Sequence, residues 1–316
     1  MLRRWTFSTV TALAALAAAP LWCQSSSARA SAAIHAAESG RCAAALPALR
    51  GFAAAAPALR RRMGVDYIRC AMLLHRDGPA ASALERMQRL YPNDAEVLYL
   101  AVHIYSGLAG AASQALLREH PRSYQVRELD AEALETQGQW ARAAAAYRAV
   151  LKLHPELIGV HFRLGRVLLS EPHATAADLA AAKRQFQDEL RLDPDNAGAE
   201  FVLGDMDFGA HRWDAAIAHF RRAAAINPAF GDAYLGWGRA LVVQQKYAAA
   251  LAPLRRAARL DARNPTPHYY YAFALLHTGH RKEAARQMAL QRQALKRAEA
   301  ARDRLRRGLQ GLPPAH

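Results

Sequence analysis

Side chains able to do chemistry are plentiful in this sequence, but they do not stand at spacings that would make a reaction. Thirteen histidines are scattered along 316 residues. None forms the His-Glu-x-x-His pattern that sets two metal ligands and a base on one helix face. No glycine-rich loop is built to cradle phosphate, and no glycine–serine elbow presents a nucleophile. Asp205 and Asp207 lie two residues apart, so on a helix they point to different faces and cannot share a proton or a metal. The composition implies no catalytic residue, cofactor or metal, and the expectation is a chain that is not an enzyme. What remains is binding chemistry: arginines, aromatic rings and two cysteines.

The balance is basic, with 42 Lys+Arg against 27 Asp+Glu and a net charge of +15. Such a charge raises nucleic acid or an anionic surface as a partner. Only five lysines occur, however, and an arginine bias with heavy alanine use is what a GC-rich genome writes on any protein. Nucleic acid is therefore not the expected partner, while an anionic envelope polymer stays open.

The first thirty residues have the form of a secretory leader. Met1-Leu2-Arg3-Arg4 is basic, Trp5 to Trp22 carries no charge, and Ala28-Arg29-Ala30 offers small residues to a signal peptidase. Cleavage before Ser31 would remove Arg3, Arg4 and Arg29 and leave +12. The alternative is an uncleaved inner-membrane anchor, against which stand Pro20 and the shortness of the run. The expected location is the periplasm or outside the cell, and no other stretch is expected to span a membrane. Cys23 would leave with the leader, and Cys42 and Cys70 would remain, an even count for an oxidising compartment.

The elements that carry these residues repeat. Pro57, Pro92, Pro121, Pro155, Pro194 and Pro228 form a ladder with spacings of 35, 29, 34, 39 and 34. Proline cannot continue a helix, so a periodic proline reads as a periodic helix stop. Strand-favouring runs are nearly absent, and Ala, Leu, Arg and Glu favour helix between the rungs. The phrase 138–155, GQWARAAAAYRAVLKLHP, returns at 211–228 as HRWDAAIAHFRRAAAINP and at 245–262 as QKYAAALAPLRRAARLDA. Leu164-Gly165, Leu203-Gly204 and Trp237-Gly238 recur at one phase of the preceding helix. A small residue there lets one helix approach its partner, and a large one fills the groove to the next.

These marks resemble the tetratricopeptide repeat family, a 34-residue helix–turn–helix with Leu-Gly, then Gly, aromatic, Ala, aromatic, Ala and a closing Pro. The resemblance implies an all-α, right-handed superhelical solenoid of antiparallel helix pairs, about seven or eight repeats and a C-terminal capping helix. It divides the chain into a leader at 1–30, divergent units at 31–123, regular units at 124–298 and the end of the cap at 299–316. The unit 95–123 is short, which predicts a truncated second helix. The unit 158–196 is long, which predicts an extended loop at 170–175 with Thr175 capping the helix that begins near Ala176. Asp130-Ala131 in place of Leu-Gly predicts a shifted register for that first helix. His161 and His268 fall at positions for large packing residues.

In the family, first-helix positions line a concave groove. Carried over, they are Tyr99, His103, Phe162, Arg166, Phe201, Asp205, Phe208, Leu235, Arg239, Tyr269 and Phe273. Such a trough would take an extended peptide or an amphipathic helix, unless these residues only pack against their neighbours. The Lys and Asn with which the family clamps a terminal carboxylate are absent. The repeat phase also puts Cys42 and Cys70 at the same end of adjacent antiparallel helices, where a disulfide and two free thiols both remain open. The expected function is a scaffold or adaptor of the cell envelope holding a protein or peptide partner. The alternatives are a basic solenoid binding an anionic polymer or nucleic acid, through Arg221, Arg222, Arg255, Arg256, Arg302, Arg304, Arg306 and Arg307, and an accessory subunit of a separate envelope enzyme. The oligomeric state is left open.

Overall fold

The computed structural model describes residues 21–310, with side chains described from Ser27 to Arg307 apart from Leu305. The basic and apolar part of the leader, up to Pro20, lies outside the described residues. Among the described residues every regular element is helical: fifteen α-helices and one 3-10 turn, Phe52–Ala54. The described residues form two compact units that divide between Pro121 and Arg122.

The first unit holds α1 (Leu21–Glu38), α2 (Cys42–Leu49), α3 (Pro57–Leu73), α4 (Asp77–Leu90) and α5 (Ala95–Glu119). Its core joins Leu49, Phe52, Ile68, Leu84, Met87 and Val97, all at most 1% exposed. Pro57 is the first residue of α3, where its missing N–H costs nothing; that rung of the ladder starts a helix and does not end one. The α1 helix runs unbroken through Ala30 and Ser31 and gives Ala30, Ala33 and Ile34 to the core.

Two expectations fail at α5. Its 25 residues form one continuous helix with no turn and no second helix, so 95–123 is half a repeat. Asp94 caps its start, its side chain accepting from the Glu96 and Val97 N–H groups, and no glycine or proline signal interrupts it strongly enough to make a turn. It is also apolar and long enough to cross a membrane by length and composition, against the expectation that nothing beyond the leader is. Only one face of its first half is buried, at Val97, Leu100, Ala101 and Ile104.

The second unit stacks five antiparallel pairs: α6 (Tyr124–Thr136) with α7 (Trp140–Leu153), α8 (Val160–Ser170) with α9 (Ala176–Leu192), α10 (Ala197–Gly209) with α11 (Trp213–Ile226), α12 (Gly231–Val243) with α13 (Tyr247–Leu260), and α14 (Pro265–His277) with α15 (Arg281–Gln310). Each second helix packs also on the next first helix, and α12 touches both α10 and α14. The first helices therefore form the inner face of this unit.

Three of the pairs, α8/α9, α10/α11 and α12/α13, close on a large-on-small contact. Gly165 and Gly204 leave no room for more: a Cβ on them would sit 2.7 Å from Phe186 and 2.8 Å from Phe220. Phe186, Phe220, Tyr147 and Leu254 are 0% exposed, and each contributes about 2–3 kcal/mol of hydrophobic burial. Ala131 holds the glycine's place in α6 and is itself 0% exposed, so the predicted register shift does not occur; one methyl is small enough.

The turns between paired helices need one left-handed residue. Gly40, Gly138 and Gly279 supply it cheaply, while His75, His211 and Gln245 adopt φ of 53°, 60° and 57° without that freedom. The pair α8/α9 differs. Thr175 caps α9 in a reciprocal arrangement with Asp178, as the sequence predicts. Only part of the insertion lies in the loop, because α9 is 17 residues long where α7, α11 and α13 have 14.

Candidate functional site

The inner face of the second unit is built from one side of each first helix, at spacings of three and four residues that return to the same face. From α8 come Phe162, Arg166 and Leu169, from α10 Phe201, Asp205 and Phe208, from α12 Arg239, and from α14 Tyr269, Phe273 and Leu276. Arg166, Asp205, Tyr269 and Leu276 are exposed, and the others are half-buried. Tyr99 and His103 belong to α5 in the first unit, where both are exposed and their rings meet edge to face at 4.4 Å. Leu235 is 8% exposed and packs in the core formed with α13 and α14. It is a packing residue of that core and not an open groove position.

The half-buried rings serve two purposes. Phe162 leans edge-on against Phe186, with centroids 5.7 Å apart, and Phe201 rests on Phe220 and Phe230 at 5.7 and 4.9 Å. Their inner edges floor the groove while their outer edges hold the repeat together. Phe208 and Trp213 meet edge-on at 5.0 Å.

Arg239 is the pivot of the polar chemistry. Its guanidinium lies 4.8 Å from the Phe208 ring centroid and 5.6 Å from that of Tyr270, a flat cation between two π faces. Its Nε is buried and has no hydrogen-bond partner among the described residues. Asp205 stands near it. The groove walls desolvate the Asp205 carboxylate and raise its pKa above the ordinary aspartate value, against the pull of Arg239 and with the help of Asp232. Asp207, two residues on, turns the other way and is buried. Burial opposes its ionisation, but hydrogen bonds from Lys183 (2.8 Å) and Arg212 (2.6 Å) prevail and lower its pKa.

Arg166 and Arg163 reach across to α6, meeting Glu135 at 3.4 Å and Glu132 at 3.0 Å. The acidic residues of α6 thus neutralise one end of the groove. At the other end, Tyr247 stacks on His277 with centroids 4.2 Å apart, and Phe273 lies 4.6 Å from His277 and 6.0 Å from Tyr247. Tyr247, Tyr270 and His277 were not among the groove residues expected from sequence. Tyr247 was legible as a repeat aromatic, but its stacking on the following pair depends on inter-repeat geometry.

The basic second-helix residues are largely engaged. Arg222 bonds Glu200 at 2.8 Å, Arg255 donates to the Tyr271 hydroxyl at 2.9 Å, and Arg256 donates to the Pro228 carbonyl at 3.0 Å. Arg221 lies 5.6 Å from the Trp237 ring centroid. Histidine 268 is 3% exposed and bonds Gln287 at 2.8 Å, and His161 bonds Gln185 at 2.8 Å, so both join first helix to second. Among the described residues no group of three His, Cys, Asp or Glu is placed to hold a metal. In the first unit the Cys42 and Cys70 sulfurs are 2.13 Å apart, bonded, with Cα atoms separated by 4.9 Å.

A family model described as tetratricopeptide repeat matches the chain in four overlapping stretches, 108–158, 131–177, 173–229 and 207–265, which together span half of it. No curated protein matches the sequence. Among solved structures, a double mutant of MamA from strain RS-1 is 16% identical, covers 56% of this chain and 97% of its own, and superposes with a TM-score of 0.50. A crystal structure of MamA is 21% identical over 54% of this chain and 96% of its own, with a TM-score of 0.49. YrrB, described as a TPR protein with an unusual peptide-binding site, is 18% identical over 58% of this chain and 92% of its own, with a TM-score of 0.49. The likeness to the RS-1 protein is one of fold.

Proposed function

The chain belongs to the tetratricopeptide repeat family, and from that premise we propose that it is a non-enzymatic scaffold of the cell envelope whose second unit holds a protein partner along its inner face. The observation that carries this reading is the groove itself: exposed Arg166, Asp205 and Tyr269 set among half-covered rings, with Arg239 held flat between two of them. Aromatic anchors with a few fixed charges suit an extended peptide or one face of an amphipathic helix. Export rests on the form of the leader and on the disulfide, which persists in an oxidising compartment. The polyanion alternative is less well supported, because Arg222, Arg255 and Arg256 are committed to partners inside the unit.

The test replaces exposed residues, since Phe201 supports Phe220 and its loss would confound folding with binding. Asp205→Lys with Tyr269→Ala should keep the helix content and abolish recovery of a stoichiometric partner from native envelope extracts. Undiminished recovery would move the binding surface elsewhere. Recovery that collapses with salt in both proteins would favour the polyanion instead.

A further inference from the structure

A cleft of about 640 Å³ opens in the first unit between α2, α3 and α4. Three arginines line it: Arg50 where α2 ends, Arg76 just before α4 begins, and Arg86 further along α4. Tyr67 and Ser82 bring hydroxyls, Leu46 and Phe52 bring apolar surface, and no Asp or Glu lines the cleft. Elsewhere in this unit Arg61, Arg62 and Arg69 pair with Asp94, Glu38 and Glu96. Arg50, Arg76 and Arg86 make no ion pair or hydrogen bond among the described residues.

The last helix pair of the second unit has the same kind of cleft, filled by its own anion. Tyr67 stands eight residues before the left-handed turn residue His75, and Tyr271 stands eight before the left-handed Gly279. Both tyrosines line a cleft between consecutive second helices. In the second unit Glu283 accepts from the Tyr271 hydroxyl at 2.6 Å, and Arg255 donates to the same hydroxyl at 2.9 Å. Glu283 is the fourth residue after its turn glycine. The fourth residue after His75 is Pro79. The first unit therefore keeps the tyrosine and the arginines of this arrangement and lacks the carboxylate that answers them.

We propose that the cleft of the first unit binds a phosphate monoester, its phosphoryl oxygens taking the place that Glu283 fills in the second. Three guanidiniums supply more charge than one carboxylate balances, and their planar forks match phosphate oxygens two at a time. Helix α4 starts without a side-chain cap, and Gly78 in its first turn borders the cleft with nothing within 4 Å of where a Cβ would stand. The phosphoryl group thus has room beside the positive end of a helix. The volume is that of a small-molecule pocket, and Leu46 and Phe52 offer apolar surface to the organic part of the ester. The Cys42–Cys70 bond ties α2 to α3, so the wall that carries Arg50 is fixed to the helix that carries Tyr67 before any ligand arrives.

Isothermal titration calorimetry of the purified full chain with glycerol 3-phosphate, at fixed chloride concentration, tests this. Saturable binding at a single site is expected. Two variants should each weaken it about tenfold or more: Pro79→Glu, which installs the missing carboxylate where a helix's first turn favours an acid, and Arg76→Gln with Arg86→Gln. Far-UV circular dichroism of both should be unchanged, and either variant serves alone should the other misfold. Flotation with vesicles of phosphatidic acid in phosphatidylcholine separates two sources of the same group. Flotation that glycerol 3-phosphate competes away puts the phosphoryl group on a lipid, and binding of the ester without such flotation puts it on a soluble ligand. Absence of saturable binding of glycerol 3-phosphate, or an affinity that a folded variant leaves unchanged, overturns the proposal.

Discussion

The carboxylate of Glu189 accepts the backbone N–H of Gly159 at 2.8 Å (Oε1) and 3.0 Å (Oε2), capping a helix thirty residues earlier in the chain. It also accepts from the Phe162 N–H at 3.2 Å and the Asn196 side chain at 3.2 Å. Gly159 has φ of 88° and no side chain to cap α8 itself. A fully buried acid from α9 therefore supplies what a local Ser or Asp would provide elsewhere. Glu189→Ala strands several buried donors, and the expected loss is about 3 kcal/mol in urea unfolding. A loss under roughly 1 kcal/mol would mean that water replaces the carboxylate.

Backbone geometry gives a second prediction with opposite signs at two sites. Gln245 holds a left-handed φ of 57° in the α12/α13 turn, so Gln245→Gly should stabilise by about 1 kcal/mol. Gly204→Ala pushes a methyl into Phe220 and should destabilise by about 1–3 kcal/mol. Thermal midpoints moving in the same direction in both variants would contradict this account of the repeat.

Asp66 predicts a pH effect in the first unit. It is 7% exposed, its Oδ2 has no hydrogen-bond partner, and burial, with Glu38 adding to it, raises its pKa against Arg62 and Arg69. A folded-state pKa above the unfolded value of 3.8 means that protonation favours the fold: the stabilisation is complete below pH 3.8 and is lost as pH rises through the folded value. Asp66→Asn should therefore raise stability at pH 7 and change it little near pH 3. A gain that is equal at both pH values would tie the effect to packing alone.

Reduction of the Cys42–Cys70 bond reopens a loop of 28 residues, worth about 3–4 kcal/mol in the chain-entropy account. Hydrogen exchange with and without reductant should show faster exchange across α2 to α4 and no change from α6 to α14. Uniform acceleration along the chain, or none, would count against a local staple.

If the leader is removed as its sequence suggests, protein recovered from the envelope begins at Ser31, and its intact mass shows this directly. Such a chain keeps Ala33 and Ile34 in the core but loses Ala30. A mass that includes Met1 would establish the anchored alternative.

Much of the second unit was legible because its signals are local and periodic: Trp140, Trp213 and Tyr247 mark starts of second helices, and Gly165, Gly204 and Gly238 mark where the pairs touch. The half-repeat at α5 was not. Its spacing of 29 residues announced a deletion, but a shortened second helix and none at all differ only in whether Gly107 and Gly110 make a turn, and two glycines inside an alanine-rich helix cost too little to decide that. Leu235 was misread as a groove residue for a related reason. Repeat position fixes the direction of a side chain, while its exposure depends on how tightly the next helix pair closes over it. The Glu189 cap lay beyond any sequence pattern, since nothing in a thirty-residue separation distinguishes that glutamate from a solvated one.

Phe220 rests under Gly204 of its own pair and also under Gly236 of the next first helix, each too close for a Cβ. One ring thus clasps two glycines and rivets consecutive repeats. A stack in which each repeat touches only its neighbours ordinarily frays from whichever end is weaker. With one ring locking both sides of the α10–α12 joint, this one should peel inward from α6 and from α15 when pulled by its ends, leaving that central joint as the last piece to open. A partner lying along the groove would then grip the stiffest part of the array and leave both flanks free to flex.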